Sequence, residues 1–311
     1  MSGKYVTETL GAEERGLRRA AAILASGGLV AVPTETVYGL AARADDEAAV
    51  ARIYEAKGRP SFNPLIVHVS SIEMARALAA FSATAEHLAK AHWPGPLTLV
   101  LPRRQDAGLA VAVTAGLDTV AIRVPRNPVM RALLNEAELP LAAPSANRSG
   151  FISPTSANHV LATLDGRIDA VIDGGDCDAG LESTIIAVRQ DGSLQQLRPG
   201  PIRLNGVGPA ADTADQVEAP GQLASHYAPG KPVRLDVIRH VEDEFFIGFG
   251  EVGSDCSLSP TGNLEEAASR LYACLHQAAE SDLPRIAVAP VPDTGVGQAI
   301  NDRLRRAATP A

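Results

Sequence analysis

The order of apolar and polar stretches predicts alternating strands and helices through the first two thirds of the chain. Short apolar runs predict strands at 29–32, 65–69, 97–101, 120–124, 141–143, 170–172 and 184–188. Helical spacing predicts helices over 12–25 and 46–56, the second with Asp45 as its N-cap, and two short helices before Trp93. Because helices and strands alternate irregularly, we expect an α/β fold with a twisted, partly mixed open sheet.

A second, smaller α/β domain is predicted at the C-terminal end. From residue 205 the periodicity stops, and the chain becomes rich in Ala, Asp, Gly and Pro, as linkers are. Strands are then predicted at 233–238, 245–249 and 285–290, and helices at 264–279 and 298–307. The sequence thus predicts a first domain over 1–205, a linker over 206–230 and a small domain over 231–311.

The charge distribution argues against a non-specific nucleic-acid binder. Residues 1–205 hold 20 Lys and Arg against 21 Asp and Glu, while residues 206–311 hold 8 against 15. Since DNA and RNA binders show a basic excess, we expect no stable nucleic-acid complex.

The cysteines and the apolar runs indicate a cytoplasmic protein. Cys177, Cys256 and Cys274 are widely spaced and form no Cys-x-x-Cys pair, so we expect reduced thiols. The first residues, Met1-Ser2-Gly3-Lys4-Tyr5, resemble no signal peptide, and no apolar run reaches the ~20 residues that cross a bilayer.

Several standard catalytic patterns are missing from the sequence. There is no Gly-x-x-x-x-Gly-Lys-Ser/Thr, no Gly-x-Gly-x-x-Gly after a strand, no His-Glu-x-x-His and no Gly-x-Ser-x-Gly. Asp173-Gly174-Gly175-Asp176, with Asp178, lacks the spacing of a calcium loop and is interpreted as a turn. We therefore predict no metal site held by protein ligands.

Polar segments follow the predicted strands of the first domain. The first, Thr34–Tyr38, offers two hydroxyls, a carboxylate and a phenol after an apolar strand, and is interpreted as the turn between a strand and a helix. Others occupy 57–64, 143–150, 182–184 and 198–200. Because strand ends of one sheet lie close in space, these segments predict a ligand site.

Four charged or titratable residues each allow two interpretations. Lys57 and Arg59 either complement a helix dipole or bind a triphosphate, and the rigid loop after them favours the triphosphate. His68 lies in an apolar strand, either as a core residue or against a polar substrate. Arg123 faces solvent or a pocket that holds a carboxylate, and we favour the pocket.

The segment 143–150 also allows two interpretations. It is either an ordinary turn, with Ser153 or Thr155 starting a helix, or a loop whose small side chains let backbone amides approach a ligand.

Taken in order, these segments resemble a known family. The set 33–40, 57–64, 93–97, 121–125, 143–150, 182–185 and 198–200 resembles the YrdC-like threonylcarbamoyl-AMP synthases. The motif Ser225-His226-Tyr227-Ala228-Pro229 and the second domain are similar to the two-domain form of that family. The resemblance implies a YrdC-like fold and an enzyme that converts L-threonine, bicarbonate and ATP to threonylcarbamoyl-adenylate and pyrophosphate.

The resemblance also implies partners and site residues. The product would pass to a separate transferase complex that modifies tRNA, and Mg²⁺ is expected on the ATP phosphates. L-threonine is expected to contact Thr36, His68, Arg123, Ala143 and Ser183. ATP is expected to contact Lys57, Arg59, Asn63, Thr119, Ser145, Asn147, Ser153, Arg198 and Tyr227, with Lys57 and Arg59 as the catalytic cations. The linker that carries Tyr227 is expected to act as a lid.

Two other functions stay open at this point. One is an RNA-binding module, which the near-neutral first domain disfavours. The other is a carbamoyl-transfer enzyme of metal-centre maturation, a class that normally carries the zinc-finger cysteine pairs missing here.

Overall fold

The computed structural model describes residues 6–209, 217–222 and 225–310. Residues 1–5, on which the signal-peptide prediction rests, and the central part of the predicted linker lie outside the described residues. Within the described chain, no helix is both long and apolar enough to span a membrane.

A large mixed sheet dominates the N-terminal part of the molecule. Its spatial order is β1-β8-β2-β3-β7-β4-β6-β5-β9-β10-β11, with parallel and antiparallel neighbours interspersed, which confirms the predicted mixed sheet. The strands are β1 (Glu8–Gly11), β2 (Val30–Val32), β3 (Gly39–Arg43), β4 (Ile66–His68), β5 (Leu97–Pro102), β6 (Thr119–Arg123), β7 (Leu141–Ala142), β8 (Ala170–Asp173), β9 (Thr184–Val188), β10 (Leu194–Arg198) and β11 (Gly208–Pro209). The helices are α1 (Glu14–Ala25), α2 (Glu47–Lys57), α3 (Ile72–Leu78), α4 (Ala83–His92), α5 (Val111–Thr114), α6 (Pro128–Ala137) and α7 (Ala157–Leu164).

A smaller sheet follows, and its four strands are parallel in the order β12-β15-β13-β14. Its elements are β12 (Val233–Arg234), β13 (Glu244–Gly248), β14 (Cys256–Ser257), α8 (Leu264–Glu280), β15 (Arg285–Val288) and α9 (Gly297–Ala308). The predicted second α/β unit is confirmed, while the domain limits at 205 and 230 stay a prediction.

The two faces of the large sheet are covered differently. Alternating side chains such as Val67 and Ile122 enter the main core on one face. On the opposite face, α1 and α6 cover only the half near β1 and β2. The other half carries Ile66, Ala121 and four further apolar side chains, and Ala219 of the linker packs onto it. Among the described residues no helix contributes to this half of the face, and a ligand site can form there.

Several local predictions are wrong. The polar turn Thr34–Tyr38 leads into β3 rather than into a helix, since Gly39–Arg43 pairs with β2 as an antiparallel hairpin. Asp46, not Asp45, caps α2 by accepting hydrogen bonds from the amides of Ala48 and Ala49.

Other element boundaries also differ from the prediction. Ser156, rather than Ser153 or Thr155, caps α7. The strand predicted at 233–238 is limited to β12, because only two of its residues pair with β15.

The prediction of reduced thiols is wrong for two of the three cysteines. Cys256 of β14 and Cys274 of α8 form a disulfide, with their Cα atoms 5.8 Å apart. The packing of α8 against the small sheet brings them together, although 18 residues separate them in sequence. Cys177 is a buried free thiol.

Candidate active site

A cavity opens on the uncovered half of the large sheet, where the predicted segments converge. Side chains from the turn after β2, the loop after α2, the segment 143–150 and the ends of β6, β9 and β10 all line it. Nine of the predicted site residues are in this lining: Thr36, Arg59, His68, Arg123, Ala143, Ser145, Ser183, Arg198 and Tyr227. The convergence expected from strand ends is therefore present.

The other five predicted residues do not line this cavity. Lys57, Asn63, Asn147 and Ser153 are buried, and they contact the loops that form the walls. Thr119, at the opposite end of β6 from Arg123, lines a separate hollow of about 520 Å³.

One end of the cavity is organised around Arg123. Its Nη1 donates to Thr36 Oγ1 at 2.9 Å, and its Nε donates to the carbonyl of Gly95 at 3.2 Å. The Thr36 hydroxyl also lies 2.8 Å from that of Thr34. Arg123 lines the cavity and its side chain is only 3% exposed, so it does not face solvent, while its contact with a substrate carboxylate stays a prediction.

Glu35 is the carboxylate that Arg123 holds, and the sequence did not identify it as a site residue. Arg123 Nη2 lies 2.8 Å from Glu35 Oε1, but the two atoms do not meet hydrogen-bond angles and each lacks another partner. Burial would raise the pKa of Glu35, yet the Arg123 charge and hydrogen bonds lower it to about 2. The pair is therefore ionised and keeps unused hydrogen-bonding capacity. The sequence feature that could have identified Glu35 is a carboxylate in a polar turn, together with Arg123 in an apolar strand that needs a partner for its charge.

His68 is not a satisfied core histidine. It lines the cavity beside Arg123, and its Nδ1 has no hydrogen-bond partner. Burial, with a further contribution from the Arg123 charge, lowers the pKa of His68 to about 3. The ring is therefore neutral near pH 7 and can accept or donate one hydrogen bond to a ligand.

Lys57 anchors the neighbouring loop. Its Nζ donates to the backbone carbonyls of Ser145 and Asn147, at 2.6 and 2.5 Å. Burial, and then the nearby Arg59 charge, holds the pKa of Lys57 well below its usual value. The Lys57 amino group therefore neither complements the dipole of its own helix nor faces the cavity as a phosphate ligand, because it is hydrogen-bonded to the two carbonyl groups.

Arg59 and Arg198 present two guanidinium groups to the cavity. Arg59 donates to the carbonyls of Asn63 and Pro64, while burial lowers its pKa to about 10. Arg198 donates to the carbonyl and hydroxyl of Ser183 and to the carbonyl of Pro220. Among the residues that the structure describes, no carboxylate oxygen lies within 4 Å of the charged nitrogens of Arg59, Arg198 or Lys57.

Residues of the linker close the cavity. Pro220, Gly221, His226 and Tyr227 form its outer wall and leave only about 40 Å³ of free space. That is room for a few water molecules, whereas small-molecule sites are typically about 300–1,000 Å³. The cavity in this conformation is therefore too small for a typical small-molecule ligand.

The linker contributes His226 as well, which, like Glu35, was not predicted as a site residue. His226 lines the cavity beside Tyr227, with the two rings 4.1 Å apart, and its Nδ1 has no partner. Burial lowers the pKa of His226 to about 3. Its position next to Tyr227 in the motif 225–229 is the sequence feature that could have identified it as a site residue.

The aspartates around Gly174 lie in a turn of the described chain. Their turn packs on Tyr38, whose hydroxyl donates to the carbonyl of Gly175 at 2.8 Å. Across the described ranges, no group of three or more His, Cys, Asp or Glu side chains is arranged to hold a metal ion.

Fold and site together define a mixed α/β protein with a buried cationic cavity under an interdomain linker. The family profile Sua5–YciO–YrdC, described as telomere recombination, matches residues 22–200. A second profile, described as the threonylcarbamoyl-AMP synthase C-terminal domain, matches residues 193–309. The chain belongs to the Sua5–YciO–YrdC family, in its two-domain form.

Relatives named threonylcarbamoyl-AMP synthase resemble the chain over almost its whole length. It is 41% identical to the threonylcarbamoyl-AMP synthase of Bacillus subtilis, covering 97% of this chain and 96% of the relative. It is 40% identical to the synthase of Pyrococcus abyssi, covering 95% and 94%. The crystal structure of P. abyssi Sua5 complexed with L-threonine superposes with a TM-score of 0.88, at 37% identity and 97% coverage of both chains.

Proposed function

We propose that this protein is a threonylcarbamoyl-AMP synthase, which converts L-threonine, bicarbonate and ATP to threonylcarbamoyl-adenylate and pyrophosphate. The observation that carries the proposal is the pair of buried guanidinium groups of Arg59 and Arg198, which line the cavity and have no carboxylate partner among the described residues. Burying an unpaired charge is costly, so such a group indicates an anionic ligand. The triphosphate of ATP supplies that charge.

The two ends of the cavity suit the two larger substrates. The end around Arg123, with Thr36, His68 and Ser183, offers hydroxyls, a neutral imidazole and unused guanidinium capacity, which match an amino acid with a hydroxyl side chain. The Ala143 amide already donates to the carbonyl of Ile66, so a contact through its backbone would use the carbonyl. We assign this end to L-threonine.

The nucleotide would extend from Arg59 and Arg198 along β6. Thr119, Ala121 and Arg123 share one face of this strand, because side chains alternate. Ala219 of the linker belongs to the same apolar cluster as Ala121, while Arg123 lines the cavity and Thr119 lines the second hollow. A movement of Ala219 with the linker would extend the cavity along β6 towards Thr119.

The site suits a reaction that requires positioning and charge neutralisation. The threonine amine would add to carbon dioxide with loss of a proton, or to bicarbonate with loss of water, and the carbamate oxygen would attack the α-phosphorus as pyrophosphate leaves. Arg59 and Arg198 would stabilise the charge of the leaving group. Burial raises the pKa of Cys177 to about 12, so its thiol is not an activated nucleophile. Closure of the linker would protect the carbamate and the adenylate from water.

Mg²⁺ would accompany ATP. Both oxygens of Glu182 already accept hydrogen bonds, whereas the buried amide oxygens of Asn63 and Asn147 have no partner. Neutral amide oxygens are suitable magnesium ligands, so these two could support an ion held mainly by phosphates and water. The product would pass to a separate tRNA-modifying transferase complex, and we expect both proteins in the cytoplasm.

A pyrophosphate-release assay tests the proposal. Purified protein with ATP should release pyrophosphate only when L-threonine and bicarbonate are both present, and release that ignores threonine would contradict the assignment. Arg123→Ala should raise the KM for threonine about tenfold or more, with a smaller effect on ATP. Arg104→Gln, which removes an exposed arginine paired with Asp106, is the matched control.

A further inference from the structure

A single arginine of the C-terminal domain lies behind the wall of the cavity. Arg303 of α9 is fully buried. Its Nε donates to Glu182 Oε2 at 2.9 Å, and its Nη2 donates to the carbonyl of Pro199 at 2.8 Å. Its guanidinium carbon also lies 5.4 Å from the ring centre of Tyr227. One side chain therefore contacts two segments of the large-sheet unit and the linker.

Each of these contacts is next to a group that faces the cavity. Glu182 immediately precedes Ser183, and Pro199 immediately follows Arg198. Tyr227 itself lines the cavity. Arg303 thus acts one residue away from the groups assigned above to both substrates.

Glu182, which lies just before β9, is held by side chains from other segments of the chain. Ser153 Oγ donates to Oε1 at 2.6 Å, and the hydroxyl of Tyr272 on α8 lies 2.9 and 2.8 Å from the two carboxylate oxygens. Burial would raise the pKa of Glu182, yet the Arg303 charge, followed by that of Arg198, lowers it to about 2. The carboxylate is therefore ionised and fixed from both sides by the C-terminal domain.

Docking of the C-terminal domain does not require this ion pair. An apolar cluster already joins Val37, Ile152 and Leu181 to the core around Leu271 and Leu275. Buried ion pairs are seldom more stabilising than apolar residues of similar size. What the pair supplies is a defined orientation of the chain at Ser183 and Arg198.

We propose that Arg303 is a positioning residue of the synthase: through Glu182, Pro199 and Tyr227 it fixes the groups that contact the substrates, so that the C-terminal domain completes the active site. This inference rests on the proposed function. It also gives the second domain a role in the active site beyond that of carrying the linker.

The test measures KM and kcat for both substrates, because a purely structural residue would change the active fraction without changing KM. Arg303→Met should raise the KM for ATP and for L-threonine about tenfold, and Arg303→Lys, which keeps the charge, should recover part of the loss. Tyr272→Phe removes one hydroxyl from Glu182 and should move the same constants in the same direction by a smaller factor. Arg305→Met changes an exposed arginine on the same helix and should behave as wild type.

The outcomes separate the two proposals. Wild-type protein without threonine-dependent pyrophosphate release would refute the function itself. An active wild type whose Arg303→Met and Tyr272→Phe variants keep wild-type KM values would overturn the positioning role, even if their melting temperatures fall. If Arg303→Met does not fold, Tyr272→Phe and Arg303→Lys decide the matter by the same constants, with unchanged KM values again overturning the role.

Discussion

Arg123 and Glu35 form a buried ion pair, 2.8 Å between Nη2 and Oε1, and their side chains are only 3% and 1% exposed. Removing one partner leaves an uncompensated buried charge, so Glu35→Gln and Arg123→Gln should each destabilise the protein by about 3–5 kcal/mol. The double variant should lose less than the sum of the two by about 1–3 kcal/mol. Urea unfolding of the four proteins measures this coupling. Additive losses would mean that the pair does not act as a unit.

Lys57 should support turnover by holding the loop that carries Ser145 and Asn147. Lys57→Met removes both hydrogen bonds from its Nζ and leaves two buried carbonyls without this donor, at a cost of about 1–3 kcal/mol. We expect kcat to fall about tenfold or more because the loop loses its position. Lys90→Met is the matched control, since Lys90 is also in the last turn of a helix but is exposed. A loss of stability with normal turnover would limit Lys57 to a structural role.

Closure of the linker over the cavity should depend on Gly221. Its φ is +89°, and an added Cβ would lie 2.9 Å from Arg198 Cδ and 3.1 Å from the Tyr227 hydroxyl. Gly221→Ala should therefore lower kcat/KM for ATP about tenfold, because the closed linker no longer fits. Gly230→Ala introduces similar backbone strain, at φ +76°, with nothing within 4 Å of the new Cβ. Equal effects of the two substitutions on the pyrophosphate assay would contradict closure at Gly221.

Much of the site could be predicted from the sequence, and the reason is the regularity of sheets. Polar segments that follow strands of one sheet must lie near one another, which is why residues as distant as Thr36 and Arg198 were placed together correctly. Thr119 shows the limit of that reasoning. It begins its strand, so it lies at the opposite end from Arg123, in a separate hollow lined by residues of β5 and of the turn after β9.

Residues that act through tertiary packing could not be recognised. Arg303 is one of three arginines on the amphipathic helix α9, and arginines on such helices usually face solvent, yet α9 docks so that the Arg303 guanidinium meets Glu182. The strand β3 was missed because its small residues follow a polar turn and form no long apolar run. The disulfide was missed because its cysteines become neighbours only when α8 packs on the small sheet.

The stability of the protein should fall as the pH decreases from about 6.5. The pKa values of His68, His226 and His276 are near 3, lowered chiefly by burial, so only the unfolded chain takes up these protons between pH 6.5 and 3. Each histidine should cost on the order of 2 kcal/mol by pH 5. Below pH 4.5, Glu35 and Glu182 add to the loss, because their pKa values are near 2 in the folded state.

Urea midpoints measured at pH 7 and pH 5 check this pH dependence. The midpoint should be lower at pH 5, and His68→Gln should reduce the difference because one proton-binding group is removed. A midpoint that does not change between these pH values would show that the histidines are accessible to protons in the folded protein.

The origin of the carbon in the product tests the central claim most directly. The protein is incubated with ATP, L-threonine and carbon-13 bicarbonate, and the adenylate is analysed by mass spectrometry. The account predicts threonylcarbamoyl-adenylate that carries the label in its carbamoyl carbon. An unlabelled threonyl-adenylate, formed by direct attack of the threonine carboxylate on ATP, would contradict it.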